Sequence, residues 1–446
     1  MNEGPSLLSI NDLIGAPVTL VVLFLLIKWF ATKLILDKQL FRLFFLGLFV
    51  KTVVIILNLF FHMYVERAGD THAYFYYGTF ISRYFSQVSF EEIIKLMFGD
   101  YNELAFSLKA KLPATTFFSA TFAGNKVVIL VTAILSYFTF DSYVAISIIF
   151  SMWAYIGTWL IFYKLVQLYP QLVLHLFLFV VCWPPSMFFG SGVLKDPLCV
   201  GALGVMFYIA FSKMVTWMGV LKNILIFSML GIFVYLIKPY ILLSFLFAYT
   251  IAMLFSGINL ISIKRYRKMF YAGIVIFVFA MILLITVQWE SIVYSKSMQE
   301  IFSHILITSQ AQLLVGNTKY DLGKLEFNPT GVLFYLVKSF NVALFRPFIF
   351  EVRNAQLFLS FIESSIMLLL TAYTVFRVGI GRFFSAIGNS FLLMFSFLFV
   401  IVLAIQIGAI SFNYGTLIRY KIPLTPFFFA FCFIQLSMQK AIRYSK

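Results

Sequence analysis

The feature that most constrains this chain is the recurrence of apolar runs of bilayer length. A helix needs about 17–25 apolar residues to cross a bilayer core, and runs of that length recur along the whole chain. Only 11% of the residues are charged, whereas soluble domains carry roughly 25%. The sequence therefore predicts an all-α, polytopic transmembrane helix bundle. Residues 1–446 are expected to form a single integral membrane domain.

The predicted spans follow directly from those runs. About 11 segments have the length and apolar content of a membrane-spanning helix. They lie near residues 14–31, 42–64, 143–165, 171–190, 197–213, 222–237, 240–256, 269–289, 356–376, 388–411 and 422–438. Residues 113–140 hold a shorter apolar stretch, which suits either a re-entrant helix or a short hairpin.

Lysines and arginines set the predicted orientation of the spans. The net charge is +16, and short cytoplasmic loops collect an excess of Lys and Arg. Because the basic residues are scattered over such loops, we do not expect nucleic-acid binding. The orientation puts two large loops outside: residues 65–140, with interfacial or re-entrant helices, and residues 290–355. Lys51 lies inside a span and is interpreted as a snorkelling or pairing lysine.

A polar island follows the second span and contains the first candidate site. It runs Glu66-Arg67-Ala68-Gly69-Asp70-Thr71-His72. Asp70 is suited to act as a general base towards an acceptor hydroxyl. With Glu66 or His72 it is also suited to hold a divalent cation, which prefers hard oxygen ligands. The alternative is an ordinary helix end with a Gly-Asp turn.

Two lysines on the same predicted side are candidates for binding phosphate. Lys195 lies where a helix is expected to begin, and helix N-termini bind phosphate oxygens readily. Asp196 suits the N-cap of that helix. Lys238 ends another span, where it either contacts phosphate or snorkels to the membrane surface.

An arginine-rich segment precedes the span that begins near residue 356. Arg346 and Arg353 suit bidentate phosphate recognition, and the alternative is a structural pair between arginine and Glu351. Glu363 lies inside the span itself and requires a partner such as an arginine.

The segment between the last two predicted spans carries Arg419 and Tyr420. External loops are expected to be poor in Lys and Arg, so Arg419 runs against the topology rule. Such a residue is a candidate for binding an anionic substrate group.

At this point the chain resembles the membrane-embedded glycosyltransferases of the C-type (GT-C) fold. The Gly69-Asp70 turn, the amphipathic stretch 73–112 and the aromatic-rich spans carry the resemblance. The segments 191–196, 345–351 and 415–420 are also similar to pieces of bacterial envelope-polysaccharide membrane proteins. The acidic loop follows the second span where the family has it after the first, which an extra N-terminal span explains.

The resemblance implies an inverting glycosyltransferase of the bacterial inner membrane, active on the extracytoplasmic face. Its donor would be a polyprenyl-phosphate-linked sugar, with membrane lipids as further partners and Mg²⁺ or Mn²⁺ as a possible cofactor. Asp70 would be the catalytic base, supported by Glu66 and His72. The departing lipid phosphate would meet a set of cations and an aromatic residue: Lys195, Lys238, Arg346, Arg353, Arg419 and Tyr420. Asp196, Glu351 and Glu363 would support them.

Two other functions stay open at this point. An O-antigen or exopolysaccharide polymerase or ligase would also hold a lipid phosphate with external arginines, without an obligatory acidic base. A lipid-linked saccharide flippase or other transporter would need ionisable residues through both halves of the membrane, whereas here they concentrate on one side.

Overall fold

The described part of the chain is helical. A computed structural model describes residues 7–66, 69–84, 123–213, 216–256, 319–323, 329–353 and 355–444. Among these residues β-pairing is confined to an isolated bridge between Lys319 and Asn413. The helices used below are α1 (Asp12–Leu34), α2 (Lys38–Phe60), α3 (Asp70–Tyr84), α4 (Ala123–Thr139), α5 (Tyr143–Leu168), α6 (Val173–Leu176), α7 (Pro184–Phe189), α8 (Lys195–Ala210), α9 (Trp217–Ile237), α10 (Pro239–Ser256), α11 (Pro329–Phe345), α12 (Ala355–Val378), α13 (Ile380–Asn389), α14 (Phe391–Ser411), α15 (Tyr414–Tyr420) and α16 (Thr425–Tyr444).

Six described helices are long and apolar enough to cross a membrane. They are α1, α2 with its extension to Glu66, α5, α9, α12 and α14. The pair α15 and α16, bent by 63°, adds a seventh if it counts as one broken span. The prediction of an all-helical chain with membrane-spanning helices is confirmed, while the count of about 11 spans is not.

Several predicted segments differ from the observed helices. The predicted span 171–190 is wrong in extent, because the chain there forms a 3-10 turn, the short α6, a π-helix at Phe177–Val181 and then α7. The pair Pro184-Pro185 lacks the backbone N–H groups that would continue a helix. The predicted span 269–289 lies outside the described residues. The apolar helix α11 falls within the predicted external loop 290–355, most of which is also outside the described residues.

The chain forms two compact units that are discontinuous in sequence. Unit 1 comprises Met1–Trp159, Ser186–Gly204 and Ile232–Pro239. In it, helices α3 and α4 run parallel, since Tyr74 contacts Asn125 at one end and Arg83 contacts Asp141 at the other. Their N-termini therefore lie at the same end of the unit.

Close packing of α5 against α8 fixes the position of α8 in unit 1. A Cβ added to Gly157 would lie 2.5 Å from the Cα of Gly201, and one added to Gly204 would lie 2.0 Å from the carbonyl oxygen of Gly157. Small residues allow this backbone approach, which is typical of helix pairs in membranes. The first residue of α8 is Lys195, so this packing also positions a predicted site residue.

Unit 2 comprises Leu160–Pro185, Val205–Gly231 and Tyr240–Lys446. Its core is aromatic: the rings of Phe395, Phe399 and Phe427 lie 5.0–5.7 Å apart, and Phe207 lies 5.1 Å from Phe427. Aromatic pairs in this distance range prefer offset-stacked or edge-to-face contacts. The core holds α14 and α16 together.

Candidate functional site

Three helix N-termini meet in unit 1. Helices α3, α4 and α8 begin at Asp70, Ala123 and Lys195. The hydroxyl of Thr71, in the first turn of α3, donates to the carbonyl of Val193 just before α8, at 3.1 Å. One turn on, Tyr74 donates to Asn125 in the first turn of α4, at 2.8 Å. Each N-terminus carries a partial positive charge, so their meeting point favours an anionic group.

A buried ion pair lies beside these helix ends. Lys238 and Asp196 form a salt bridge, and the two residues are 3% and 0% exposed. The prediction that Asp196 caps the helix is wrong, because α8 begins at Lys195 and Asp196 lies within its first turn. The interpretation of Lys238 as a snorkelling lysine is wrong as well. A carboxylate satisfies its ammonium inside the unit.

Lys195 forms no ion pair with a carboxylate of the described residues. It is half-buried and makes no hydrogen bond with a described residue. Burial and, to a smaller extent, the charge of Lys238 lower the pKa of Lys195 to about 8, while Asp70 and Asp196 oppose the shift. A partly desolvated ammonium gains most from an anionic partner, so this position suits a bound anion.

Asp70 is exposed and is the first residue of α3. Its carboxylate interacts electrostatically with Lys195. The alternative prediction, that Asp70 lies at a helix end, is therefore correct for its position. The same position places a solvent-accessible carboxylate near an ammonium at the meeting point of the three helices.

Glu66 and His72 lie in the same neighbourhood, together with a residue that the sequence interpretation missed. Nδ1 of His62 contacts the carboxylate of Glu66 on a π-helical segment, Phe61–Glu66, that extends α2. Segments of this kind occur frequently at functional sites. Burial lowers the pKa of His72, and so does the charge of His62, while Glu66 opposes both. Glu66 and His72 are thus in electrostatic contact with each other.

A polar stripe on α2 holds the turn that precedes Lys195. The ammonium of Lys51, 2% exposed, donates to the carbonyls of Met187 at 2.9 Å and Gly190 at 2.8 Å, and to the Ser191 hydroxyl at 2.8 Å. Of the two interpretations of Lys51, snorkelling is wrong, and pairing is correct, because the ammonium is paired with backbone carbonyls at the end of α7. Lys51, Asn58 and His62 are spaced by seven and four residues, so helical periodicity puts them on one face.

Gly192 completes that turn with a conformation that favours glycine. Its φ is +80°, and a Cβ there would lie 2.7 Å from Oδ1 of Asn58. Asn58 also donates to the carbonyl of Phe188 at 3.1 Å, and the Gly192 N–H donates to Ser151 at 3.0 Å. Side chains from two spans therefore fix the backbone that leads into Lys195.

In unit 2, the guanidinium of Arg346 is paired with the carboxylate of Glu351. Nε of Arg346 donates to both oxygens of Glu351, at 3.1 and 3.0 Å, and Nη2 also contacts the carboxylate. Tyr414 donates to Glu351 at 2.6 Å, and the Arg346 guanidinium lies 5.8 Å from the Tyr414 ring centroid. Burial alone would raise the pKa of Glu351, but the hydrogen bonds from Arg346 and Tyr414 hold it below its usual range. This is the structural Arg–Glu pair that stood as the alternative to phosphate recognition.

Glu363 has a partner other than the expected arginine. The indole N–H of Trp183 donates to Oε1 of Glu363 at 2.8 Å, and Glu363 is 2% exposed. Lys421, fully buried, interacts with Glu363 electrostatically and donates to Ser364 at 2.8 Å. The expectation that Glu363 has a partner is confirmed, and that partner is Trp183 and not an arginine.

The remaining predicted residues also belong to unit 2. Arg353 is exposed, and Arg419 and Tyr420 are half-buried. The Tyr420 ring lies 5.9 Å from that of Tyr240. The predicted site residues thus divide between the units. Unit 1 contains Asp70, Glu66, His72, Lys195, Asp196 and Lys238, and unit 2 contains Arg346, Glu351, Arg353, Glu363, Arg419 and Tyr420.

A metal site does not emerge from the described residues. Among them, no three His, Cys, Asp or Glu side chains lie close enough together to hold a metal ion. The divalent cation implied by the resemblance stays a prediction.

No protein-family model, no curated protein and no solved structure matches the chain significantly. The site in unit 1 is therefore the basis for any statement on function.

Proposed function

We propose that this chain is a membrane glycosyltransferase that transfers a sugar from a polyprenyl-phosphate donor to an envelope glycan, lipid or protein acceptor. One observation carries the proposal. A half-buried Lys195 without a hydrogen-bonding partner lies in electrostatic contact with the exposed Asp70, where three helix N-termini meet. Positive helix ends and an unneutralised ammonium favour a phosphate. A nearby accessible carboxylate suits a proton acceptor.

The proposed reaction assigns each group one task. The Asp70 carboxylate takes the proton of an acceptor hydroxyl, and the acceptor oxygen forms a bond to the anomeric carbon. The bond between that carbon and the phosphate oxygen breaks, and the oxygen keeps the electron pair. Lys195 and the helix ends stabilise the negative charge that develops on the leaving polyprenyl phosphate. Asp70, exposed to water, then returns its proton to solvent, and the anomeric configuration is inverted.

The geometry narrows the set of phosphate ligands within the proposal. Lys238 and Arg346 each have a carboxylate partner, Asp196 and Glu351, so binding phosphate would require them to leave it. Leaving a buried carboxylate unpaired is costly, by several kcal/mol in general. Lys195 is therefore the principal phosphate ligand of the proposal.

The cellular setting is part of the same proposal. The chain would lie in the bacterial inner membrane, with the site on the extracytoplasmic side. Helices of spanning length supply the apolar surroundings that a polyprenyl tail requires. Glu66, with His62 and His72, would act around Asp70. Arg353, Arg419 and Tyr420 stay further candidates for contacts to the donor.

The test is sugar transfer by purified protein in lipid vesicles. The donors are polyprenyl phosphates that carry radiolabelled glucose, galactose or mannose, with envelope extracts as acceptor. Asp70→Asn and Lys195→Met should abolish transfer. Asp321→Asn and Lys213→Met, which remove exposed charges in unit 2, should leave it intact. Full transfer by Asp70→Asn would refute the base assignment.

The same assay separates the other functions. A polymerase or ligase is favoured if the Asp70→Asn variant transfers sugar and the Arg419→Gln variant does not. A flippase is favoured if the vesicles move lipid-linked saccharide across the bilayer without transferring sugar.

A further inference from the structure

One end of unit 2 carries exposed cations that have no partner among the described residues. Arg377 ends helix α12, Arg382 lies in α13, and Lys440 lies near the end of α16. All three are exposed, and none makes a hydrogen bond or ion pair with a described residue. We refer to these three residues as the cationic end.

Contacts between the helices place these residues at the same end of the unit. Helices α12 and α16 run parallel, as two contacts show. At one end, the ammonium of Lys421, just before α16, donates a hydrogen bond to Ser364 in the first half of α12. Further along α16, the Gln435 side chain donates to the carbonyl of Phe383 in α13 at 3.1 Å. Lys440 lies five residues beyond Gln435, roughly 7.5 Å along the helix. The junction of α12 with α13 and the end of α16 are therefore neighbours.

Carboxylates are absent from the sequence that surrounds the cationic end. Residues 364–446 contain no Asp or Glu. The described acids of unit 2 are engaged elsewhere: Glu351 with Arg346, Glu363 with Trp183, and Asp321 with the N–H of Gly323. The described part of the unit thus offers these cations no counter-ion.

Helix α13 presents apolar side chains on both its inner and outer faces. Phe383 and Ile387 are buried, and the Phe383 ring packs 5.4 Å from that of Phe431. On the outside of α13, Ile380 is 68% exposed and Phe384 58%, and Phe376 near the end of α12 is 85% exposed. Exposed apolar rings directly beside arginines match the boundary between acyl chains and headgroups, where both parts of such a surface are solvated.

We infer that the cationic end binds anionic phospholipid headgroups. The phosphates would pair with Arg377, Arg382 and Lys440, while Phe376, Ile380 and Phe384 insert between the acyl chains. Charge complementarity selects the occupant, because three cations without a counter-ion in the described part of the unit attract an anionic lipid more strongly than a zwitterionic one. The inference is independent of the proposed sugar transfer, since none of these residues belongs to unit 1.

The test compares lipid binding by native mass spectrometry of the detergent-purified full chain. The probes are phosphatidylglycerol and phosphatidylcholine with the same acyl chains. Wild-type protein should retain phosphatidylglycerol preferentially. The variant R377Q/R382Q/K440Q should lose affinity for it by about fivefold per removed cation. The charge-preserving variant R377K/R382K should keep most of the affinity, and unchanged thermal unfolding in detergent shows that the variants are folded.

A matched control removes the same charge elsewhere. K28Q/K33Q/K38Q eliminates three exposed lysines of unit 1, and it should change phosphatidylglycerol binding little. Equal losses in the two triple variants would overturn the inference, because they would show general charge attraction. Equal retention of the two lipids by wild-type protein would overturn it as well.

Discussion

The buried pair of Lys238 and Asp196 gives the sharpest test of the local structure. Both residues are almost fully excluded from solvent, at 3% and 0% exposure. Removing one member leaves an uncompensated charge inside the protein, which costs about 3–5 kcal/mol. Lys238→Met and Asp196→Leu should therefore each destabilise the protein by that amount, which corresponds to roughly 3–5 °C in melting temperature for a chain of 446 residues.

The double variant separates a structural role from a role in donor binding. Replacing both members of a buried ion pair with apolar residues is often neutral, so K238M/D196L should recover most of the stability lost in the single variants. It should also still bind polyprenyl phosphate, because Lys195 is unchanged. Thermal unfolding and native mass spectrometry of detergent-purified protein measure the two quantities.

Two results would refute this reasoning. Additive losses in the double variant would mean that the two side chains do not compensate each other. Restored stability with lost binding of polyprenyl phosphate would mean that Lys238 itself holds the phosphate, as the sequence interpretation proposed.

Three further predictions concern neighbouring features. Lys195 has a pKa of about 8, so the affinity of the protein for a sugar phosphodiester should be full below that pH and fall as the pH rises through it. An affinity that does not change with pH, in the wild-type protein as in Lys195→Met, would contradict this. Gly192→Ala should destabilise the protein by about 1–3 kcal/mol, since φ is +80° there, whereas Gly381→Ala, with open space around it, should not; equal melting temperatures would refute the strain argument. Trp183→Phe removes the hydrogen bond to buried Glu363 and should cost about 1–3 kcal/mol, and a variant as stable as wild type would show that the bond contributes nothing.

The sequence was sufficient to predict the main helices and the polar residues, because both depend on local composition. The runs that became α1, α2, α5, α9, α12 and α14 are apolar over a full bilayer thickness. The broken stretch after Pro170 escaped prediction, although its prolines signal an interruption. An apolar run alone does not show whether a helix is continuous.

The partners of the charged residues could not be predicted. Asp196 and Lys238 lie far apart in the chain, as do Trp183 and Glu363, and one sequence does not show which helices are neighbours. The polar stripe on α2 could have been predicted from the sequence. Lys51, Asn58 and His62 follow helical spacing inside an apolar run, and that pattern predicts a face turned towards polar groups.

The division of the predicted site between two units changes what the polar island means. Asp70 interacts electrostatically with Lys195, and both residues belong to unit 1. This interaction involves none of the arginines of unit 2. The site is therefore a carboxylate beside an ammonium at three helix ends, and the arginines are separate candidates.

The most direct measurement is an experimental structure of the protein in lipid with bound polyprenyl phosphate. The account predicts density for the phosphate within hydrogen-bonding distance of Lys195 Nζ, with the Asp70 carboxylate facing the oxygen that would carry the sugar. Phosphate density at Arg419 or Arg353, with the surroundings of Lys195 empty, would contradict it.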